Sequence, residues 1–211
     1  MKKITIIDYG CGNILNLVRA IKFIGNEVEI THDHKKIKNS SHVILPGVGA
    51  FGNAMKQLEK YGLYNTILEY AKLNKPLLGI CLGMQILLTE SYEFGVHKGL
   101  GLIEGQVIKI SNKKNKEIKI PHTGWNEIHP NNNKKEWKNK ILSNSLIGKS
   151  FYFVHSFACV TKNPESTIAV CNYSGISIPA IVSVNNIFGC QFHPEKSADN
   201  GLAVLKNFCD I

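Results

Sequence analysis

The sequence is poor in arginine and lacks the patterns that mark membrane, metal-binding and disulfide-stabilised proteins. Arg19 is the only arginine among 25 basic residues. No apolar run is long enough to span a bilayer, and no h-region or cleavage site follows Met1, so we expect no signal peptide. The six cysteines include no Cys-x-x-Cys pair, and no spacing of His, Cys, Asp and Glu suggests a metal. These absences predict a cytoplasmic protein with reduced thiols and no cofactor.

The formal net charge of +9 is the one compositional feature that suggests a nucleic-acid-binding domain. Much of it falls in two Lys/Asn-rich stretches, 111–116 and 131–135, which we interpret as solvated loops. No basic stripe with interleaved aromatic residues accompanies them. We therefore expect neither a nucleic acid nor a membrane as partner, and salt-sensitive binding of RNA or DNA would be needed to support that alternative.

Strand and helix patterns alternate through the first part of the chain, which predicts a parallel sheet with helices on both faces. We expect strands at 3–8, 27–31, 42–45 and 76–81, and helices at 14–24, 51–60 and 63–73. The second half is strand-rich, with strands expected at 105–110, 151–154, 157–161, 167–172, 180–184 and 187–192 and a last helix at about 199–209. With neither a repeat nor a boundary, residues 1–211 are expected to form one α/β domain whose sheet is extended by hairpins.

A nucleophile-elbow pattern lies in the stretch 76–85, which reads PLLGICLGMQ. An apolar strand runs into Gly-x-Cys-x-Gly centred on Cys81, and the sequence continues as a helix through Leu88. Glycines permit the close backbone approach at such a turn. Amide dipoles at the helix N-terminus favour the thiolate. The plain alternative is a small buried cysteine that precedes a core helix.

A base and its orienting acid are expected in the segment 189–195. In an extended segment residues i and i+2 point the same way, so Glu195 can fix the imidazole tautomer of His193. An oxyanion needs fixed N–H donors. We expect one from Leu82, which follows the nucleophile, and the second from Val48 in the Pro-Gly-Val-Gly turn after the third strand.

The remaining histidines have weaker claims to a role in catalysis. We expect His122 and His155 to shape the site or to pack structurally. Five others are expected to be exposed or in loops: His32, His34, His42, His97 and His129.

In order and spacing, these motifs resemble the class I (triad) glutamine amidotransferases, and within them the glutaminase subunits of imidazole glycerol phosphate synthase. The resemblance covers essentially the whole chain. The segments that carry it are DYGCGN at 8–13, PGVGAF at 46–51, GICLGMQ at 79–85, GWN at 124–126, YFVHS at 152–156 and HPEKS at 193–197. It implies a flavodoxin-like three-layer fold with a mostly parallel central sheet, extended by antiparallel strands in the C-terminal half.

The resemblance also implies a reaction and a partner. Cys81 would attack L-glutamine, His193 would serve as acid and base, and Glu195 would orient it. The residues implied for substrate binding are Gly49, Gln85, Glu93, Ser156 and Phe157. Ammonia would pass to a barrel-shaped synthase subunit in a heterodimer, and the residues implied to face this partner are Asn13, Trp125, Tyr152 and Lys196.

Three positions depart from the family pattern. Thr123 replaces the usual methionine, Leu15 a common arginine and Phe157 a common tyrosine. None belongs to the expected triad, so they leave open which synthase is served, and relatives that amidinate sugars for surface polysaccharides are the alternative. The elbow alone would also fit a cysteine hydrolase or peptidase, against which the late His-Pro-Glu segment argues.

Overall fold

A computed structural model describes residues 2–111, 118–131 and 135–211. Its strands are β1 (Lys3–Ile7), β2 (Glu27–Thr31), β3 (His42–Gly47), β4 (Leu77–Cys81), β5 (Leu88–Ser91), β6 (His97–Lys98), β7 (Ile103–Lys109), β8 (His122–Pro130), β9 (Ser150–His155), β10 (Phe157–Thr161), β11 (Thr167–Tyr173), β12 (Ile176–Val184) and β13 (Ile187–Cys190). Its α-helices are α1 (Ile14–Phe23), α2 (His34–Asn39), α3 (Phe51–Lys60), α4 (Leu63–Lys72), α5 (Leu82–Ile86) and α6 (Ala198–Asp210). Most of the two Lys/Asn-rich stretches, 112–116 and 132–134, lies outside the described residues.

A nine-stranded sheet with the order β2-β1-β3-β4-β13-β12-β11-β8-β9 forms the centre of the fold. Neighbours from β2 to β13 are parallel, and all pairs from β13 to β9 are antiparallel. The C-terminal strand β13 thus returns to pair with the elbow strand β4. This return brings the His193 segment, which follows β13, to the same sheet edge as Cys81.

Helices cover both faces of the parallel half. Apolar residues of α1 and α6, such as Leu17 and Phe208, pack into one buried cluster with β1 residues such as Ile4. On the opposite face, residues of α3 and α4 such as Leu58 and Ile67 pack in a second cluster. The fold is therefore the expected three-layer α/β arrangement. No helix in the described part of the chain is long and apolar enough to cross a membrane.

A second, four-stranded sheet with the order β10-β7-β5-β6 was not expected. Its strand β5 begins directly after the short helix α5, where the apolar run 84–88 had suggested that the helix continues. The chain after β6 packs closely on the start of β5, and only glycine fits at position 99, because a Cβ there would lie 2.2 Å from the carbonyl oxygen of Leu88.

The expected strands and helices are otherwise found, most within two residues of the predicted bounds. Helix α2 and strands β6 and β8 were not predicted. The long strand β8 alternates buried or half-buried residues with exposed ones, but Gly124 and polar side chains interrupt its apolar pattern. A strand interrupted in this way cannot be predicted from the alternation of apolar and polar residues.

Candidate active site

Cys81 ends β4 in a strained conformation. Its φ and ψ angles are 54° and −109°, and φ in this range is costly for a residue with a Cβ atom. The helix α5 starts at the next residue, Leu82, and the Cys81 side chain is nearly buried at 7% exposure. The strain turns the thiol out of the strand at the sheet edge, where Sγ lies 3.9 Å from the Val154 carbonyl oxygen.

Close backbone packing explains two of the glycines around this elbow. A Cβ on Gly83 would lie 1.9 Å from the carbonyl oxygen of Leu45 in β3, a distance that no side chain can accept. A Cβ on Gly47 would lie 2.8 Å from both the Gly83 amide nitrogen and the Tyr9 hydroxyl oxygen. The elbow and the end of β3 are therefore pressed together, which fixes Cys81 relative to the turn that carries Val48.

His193 and Glu195 form the expected pair beside the thiol. His193 Nδ1 lies 2.9 Å from Glu195 Oε1, and both side chains are almost fully buried. Nε2 of the ring is buried without a hydrogen-bond partner. Burial lowers the pKa of His193, but interactions with Cys81 and Glu195 outweigh that effect and raise the pKa to about 10. The ring is therefore protonated on both nitrogens at neutral pH. The Nδ1 proton faces the Glu195 carboxylate, and the Nε2 proton is available for transfer.

A cavity of about 290 Å³ opens at this sheet edge. Of the predicted site residues it is lined by Val48, Gly49, Cys81, Leu82, Gln85, Glu93, Ser156, Phe157 and His193. Pro121, Val154 and His155 complete the lining. The structure thus brings the predicted nucleophile, the predicted base and every residue expected to bind substrate to one cavity, and Glu195 contacts the far side of His193.

The two expected oxyanion donors, the amides of Leu82 and Val48, differ in their hydrogen bonding within the fold. The Leu82 amide opens α5 and so has no acceptor within the helix. The Val48 amide, in contrast, donates to the carbonyl oxygen of Cys11 at 3.3 Å and is engaged away from the thiol. A second hydrogen bond holds the turn at 46–49, because the buried Tyr9 hydroxyl donates to the Pro46 carbonyl oxygen at 2.8 Å.

A chain of amide side chains joins the far wall of the cavity to the thiol. Gln85 Nε2 donates to the Phe157 carbonyl oxygen at 3.0 Å and to Gln191 Oε1 at 3.1 Å. Gln191 Nε2 in turn lies 3.8 Å from Cys81 Sγ. Gln191 is fully buried and was not singled out from the sequence. The extended segment expected at 189–195 is wrong beyond Cys190, because β13 ends there and Glu195 lies in a 3-10 turn at Pro194–Lys196, so strand alternation gave no signal for Gln191.

Glu93 caps the helix α3 as well as lining the cavity. Its Oε2 atom accepts from the amide of Phe51, the first residue of α3, at 2.6 Å. Negative charge is favourable at a helix N-terminus, so the carboxylate is held in place before any substrate binds.

Three of the four predicted partner-facing residues form one surface cluster. Trp125 on β8 is 53% exposed, and its ring meets that of Tyr152 on β9 edge to face at 6.0 Å. Lys196 Nζ lies 5.9 Å from the centre of the Tyr152 ring. The fourth, Asn13, lines a small void behind the triad together with His193 and Glu195.

Two expectations for the histidines need revision. His42 was expected to be exposed or in a loop, which is wrong, because it lies in β3 at 4% exposure and packs edge to face on Phe208. His97 is half-buried in β6. His32, His34 and His129 are exposed as expected, although His34 lies in α2 and His129 in β8. His122 and His155 are buried and contact each other.

Within the described ranges, no group of three or more His, Cys, Asp or Glu side chains could hold a metal ion.

The fold and this site define an amidotransferase of the triad type. The family model described as "Glutamine amidotransferase class-I" matches residues 5–211, and the chain belongs to this family.

Curated relatives match over the full length. The imidazole glycerol phosphate synthase subunit HisH 1 of Legionella pneumophila (strain Lens) is 41% identical over 213 residues, which is 100% of each chain. The subunit HisH of Lactococcus lactis subsp. lactis (strain IL1403) is 44% identical over 210 residues, covering 100% of this chain and 99% of the relative.

Solved structures agree with the fold. PurLQS from Thermotoga maritima superposes with a TM-score of 0.71 at 21% identity, over 100% of this chain and 99% of that one.

Proposed function

We propose that this chain is the glutaminase subunit of an imidazole glycerol phosphate synthase in histidine biosynthesis. It acts as a single glutamine amidotransferase domain over residues 1–211, in the cytoplasm. The observation that carries the proposal is the strained Cys81 in one cavity with His193, whose ring is bound to Glu195. The two HisH relatives, at 41% and 44% identity over the full length, support the pathway.

The proposed mechanism proceeds through a thioester. The Cys81 thiolate attacks the side-chain carbonyl carbon of L-glutamine, and the resulting oxyanion is held by backbone amides. The C–N bond then breaks as His193 gives its proton to the leaving ammonia. A water molecule next attacks the thioester, His193 takes its proton, and the C–S bond breaks to release glutamate and restore the thiolate.

The Val48 turn is proposed to control this reaction. The Val48 amide cannot stabilise the oxyanion as long as it donates to Cys11. Loss of one oxyanion donor typically costs about 10²–10³ in kcat. We therefore expect the isolated chain to be a poor glutaminase until a partner with its ligand rotates the Val48 peptide.

The exposed Trp125–Tyr152–Lys196 cluster is the proposed docking surface for the barrel-shaped synthase subunit. Exposed aromatic side chains of this kind anchor protein interfaces. Trp125→Ala should weaken heterodimer formation by at least about tenfold without changing the glutaminase activity of the isolated chain. Phe23→Ala is a matched control, because Phe23 is 78% exposed but lies on α1. Equal weakening by both variants, measured by calorimetry, would contradict this assignment.

The decisive experiment measures glutamate formation from glutamine by this chain alone and mixed with the barrel subunit. Each is assayed with and without the ribulosyl nucleotide substrate of the barrel. Stimulation that requires both the partner and this nucleotide is the expected result. Failure of the nucleotide to stimulate, with Cys81 still labelled by a glutamine-like affinity reagent, would retain the amidotransferase chemistry and overturn the assignment to the histidine pathway.

Cys81→Ala should abolish glutamate formation in the complex. Cys209→Ala is the matched control, because Cys209 is also a buried free cysteine but lies in α6. Activity that persists in the Cys81 variant, or that is lost equally in both variants, would refute the proposed role of the thiol.

A further inference from the structure

Two buried histidines link the glutamine side of the cavity to the strand that carries Trp125. His155 Nδ1 lies 2.8 Å from the Phe157 carbonyl oxygen, which also accepts from Gln85. His155 Nε2 lies 2.9 Å from His122 Nδ1. His122 Nε2 lies 2.8 Å from Asn126 Oδ1. The result is a continuous run of three short polar contacts between the cavity wall and the residue next to Trp125.

Both ends of this run are acceptors. The Phe157 end is a backbone carbonyl, which can only accept. At the other end, Asn126 Nδ2 donates to the Asn172 carbonyl oxygen at 3.1 Å, and this contact fixes the side-chain oxygen of Asn126 toward His122. Hydrogen bonds at all three contacts would therefore need three ring protons. Two neutral imidazoles carry only two.

The surroundings oppose a third proton. His122 is fully buried and stacks between the rings of Phe153 and Tyr173, and His155 is 6% exposed. Burial lowers the pKa of His155 to about 4, with further lowering by His122 and by the cationic His193, against a rise from the Phe157 carbonyl. Burial likewise lowers the pKa of His122, although its bond to Asn126 opposes this. The pair is therefore neutral at pH 7, and one of the three contacts lacks a proton.

We propose that His122 and His155 form a tautomeric relay that donates either to the Phe157 carbonyl or to Asn126, but never to both. The central His–His contact is the most deeply buried, so leaving two bare nitrogens there is the costliest arrangement. With that bond kept, only two states remain. In one state both rings carry their proton on Nδ1, and His155 donates to the Phe157 carbonyl oxygen. In the other state both carry it on Nε2, and His122 donates to Asn126 Oδ1.

The relay makes His122 and His155 positioning residues for the glutamine pocket. The Phe157 carbonyl holds Gln85, so its second hydrogen bond is present in one relay state and absent in the other. Asn126 is half-buried and directly follows Trp125. Resting on the proposed function, a synthase subunit docked at Trp125 would change the environment of Asn126 and so bias the relay.

The first test is ¹⁵N NMR of the imidazole rings of the full-length chain at pH 7, which distinguishes Nδ1–H from Nε2–H tautomers without any turnover. The expected result is the same tautomer, or the same mixture, in both rings, with assignments from the His122→Asn variant. Opposite tautomers, or a doubly protonated ring, would overturn the relay. In Asn126→Ala the competing acceptor is gone, so both rings should carry Nδ1–H, and an Nε2–H ring there would also overturn it.

The second test measures glutamine kinetics in the complex. His122→Ala leaves His155 Nε2 without its partner, and KM for glutamine should rise about tenfold while kcat stays within about threefold. The His122→Asn amide can still donate to His155 Nε2, so it should restore KM to within about threefold of wild type. His129→Ala on the same strand is the control. Equal KM values in the Ala and Asn variants would refute the positioning role. If the wild-type complex has no glutaminase activity, the proposed function is refuted, but the NMR test of the relay is unaffected.

Discussion

Replacing Tyr9 with phenylalanine tests whether the turn that carries Val48 is held in a resting state. The Tyr9 hydroxyl is buried at 1% exposure and donates to the Pro46 carbonyl oxygen at 2.8 Å. Loss of the hydroxyl leaves this carbonyl without its donor, which should lower the free energy of unfolding by about 1–3 kcal/mol. The substitution adds no atoms, so it introduces no clash in the close packing around Gly47.

The same substitution should loosen the partner dependence of the enzyme. If the Tyr9 bond stabilises the resting turn relative to the rearranged one by about 1 kcal/mol, its loss shifts the population of rearranged turn about fivefold. Glutaminase activity of the isolated chain should then rise about fivefold, because the Val48 amide reaches the oxyanion more often. Activity in the complex, where the turn is already rearranged, should change less than about twofold.

Tyr70→Phe provides a matched control. Tyr70 is equally buried at 1% exposure, and its hydroxyl contacts the Ser41 and Pro76 carbonyl oxygens, both at 3.1 Å. These carbonyls precede β3 and β4, at the opposite ends of the two strands from the cavity. Both variants should lose similar stability in urea unfolding, but only Tyr9→Phe should change the ratio of activities with and without the partner. An unchanged ratio in Tyr9→Phe, or the same change in both variants, would refute the idea that this bond holds the resting turn.

Three further predictions concern the elbow and the triad. Glu195→Gln removes a hydrogen-bonded charge, so the NMR titration midpoint of His193 should fall from about 10, and an unchanged midpoint would count against the pairing. Gly83→Ala forces a Cβ to within 1.9 Å of the Leu45 carbonyl oxygen, so it should destabilise the fold by at least about 3 kcal/mol in urea unfolding, and wild-type stability would show that β3 can yield. Gln191→Leu removes the amide between Gln85 and the thiol, so KM for glutamine should rise about tenfold, whereas a pure fall in kcat would point to the thiol instead.

The parallel half of the fold was accessible to sequence reasoning because its strands are continuous apolar runs. Strands such as β3 and β4 are buried along their whole length, and glycine turns mark their ends. The second sheet could not be predicted from the sequence. Its strands β5 and β6 are short, and β5 becomes part of a sheet only by pairing with β6 and with β7 further along the chain. Pairing between distant segments leaves no local signal when the strands have only a few residues.

The candidate site divides in a similar way. Cys81, His193 and Glu195 could be proposed because the glycine spacing and the nearness of His193 to Glu195 are local patterns. The pair forms through the 3-10 turn Pro194–Lys196, however, and not through the expected strand alternation. The engagement of the Val48 amide with Cys11 could not, because no sequence pattern gives the orientation of a single peptide. The His122–His155 contact could not be predicted either. It joins β9 to β8, and the sequence did not indicate β8.

The packing of the turn at 46–49 indicates which part of it can move. The Tyr9 hydroxyl and the Gly83 amide crowd Gly47, since both would lie 2.8 Å from a Cβ there, so a shift of the whole segment toward them would push the elbow out of place. Gly49 has φ +101° and open space where a side chain would lie. The turn is therefore anchored at one end and free at the other. A rotation of the Val48 peptide that also loosens the Tyr9–Pro46 bond can complete the oxyanion site while the thiol, the imidazole and the carboxylate stay where the fold has put them.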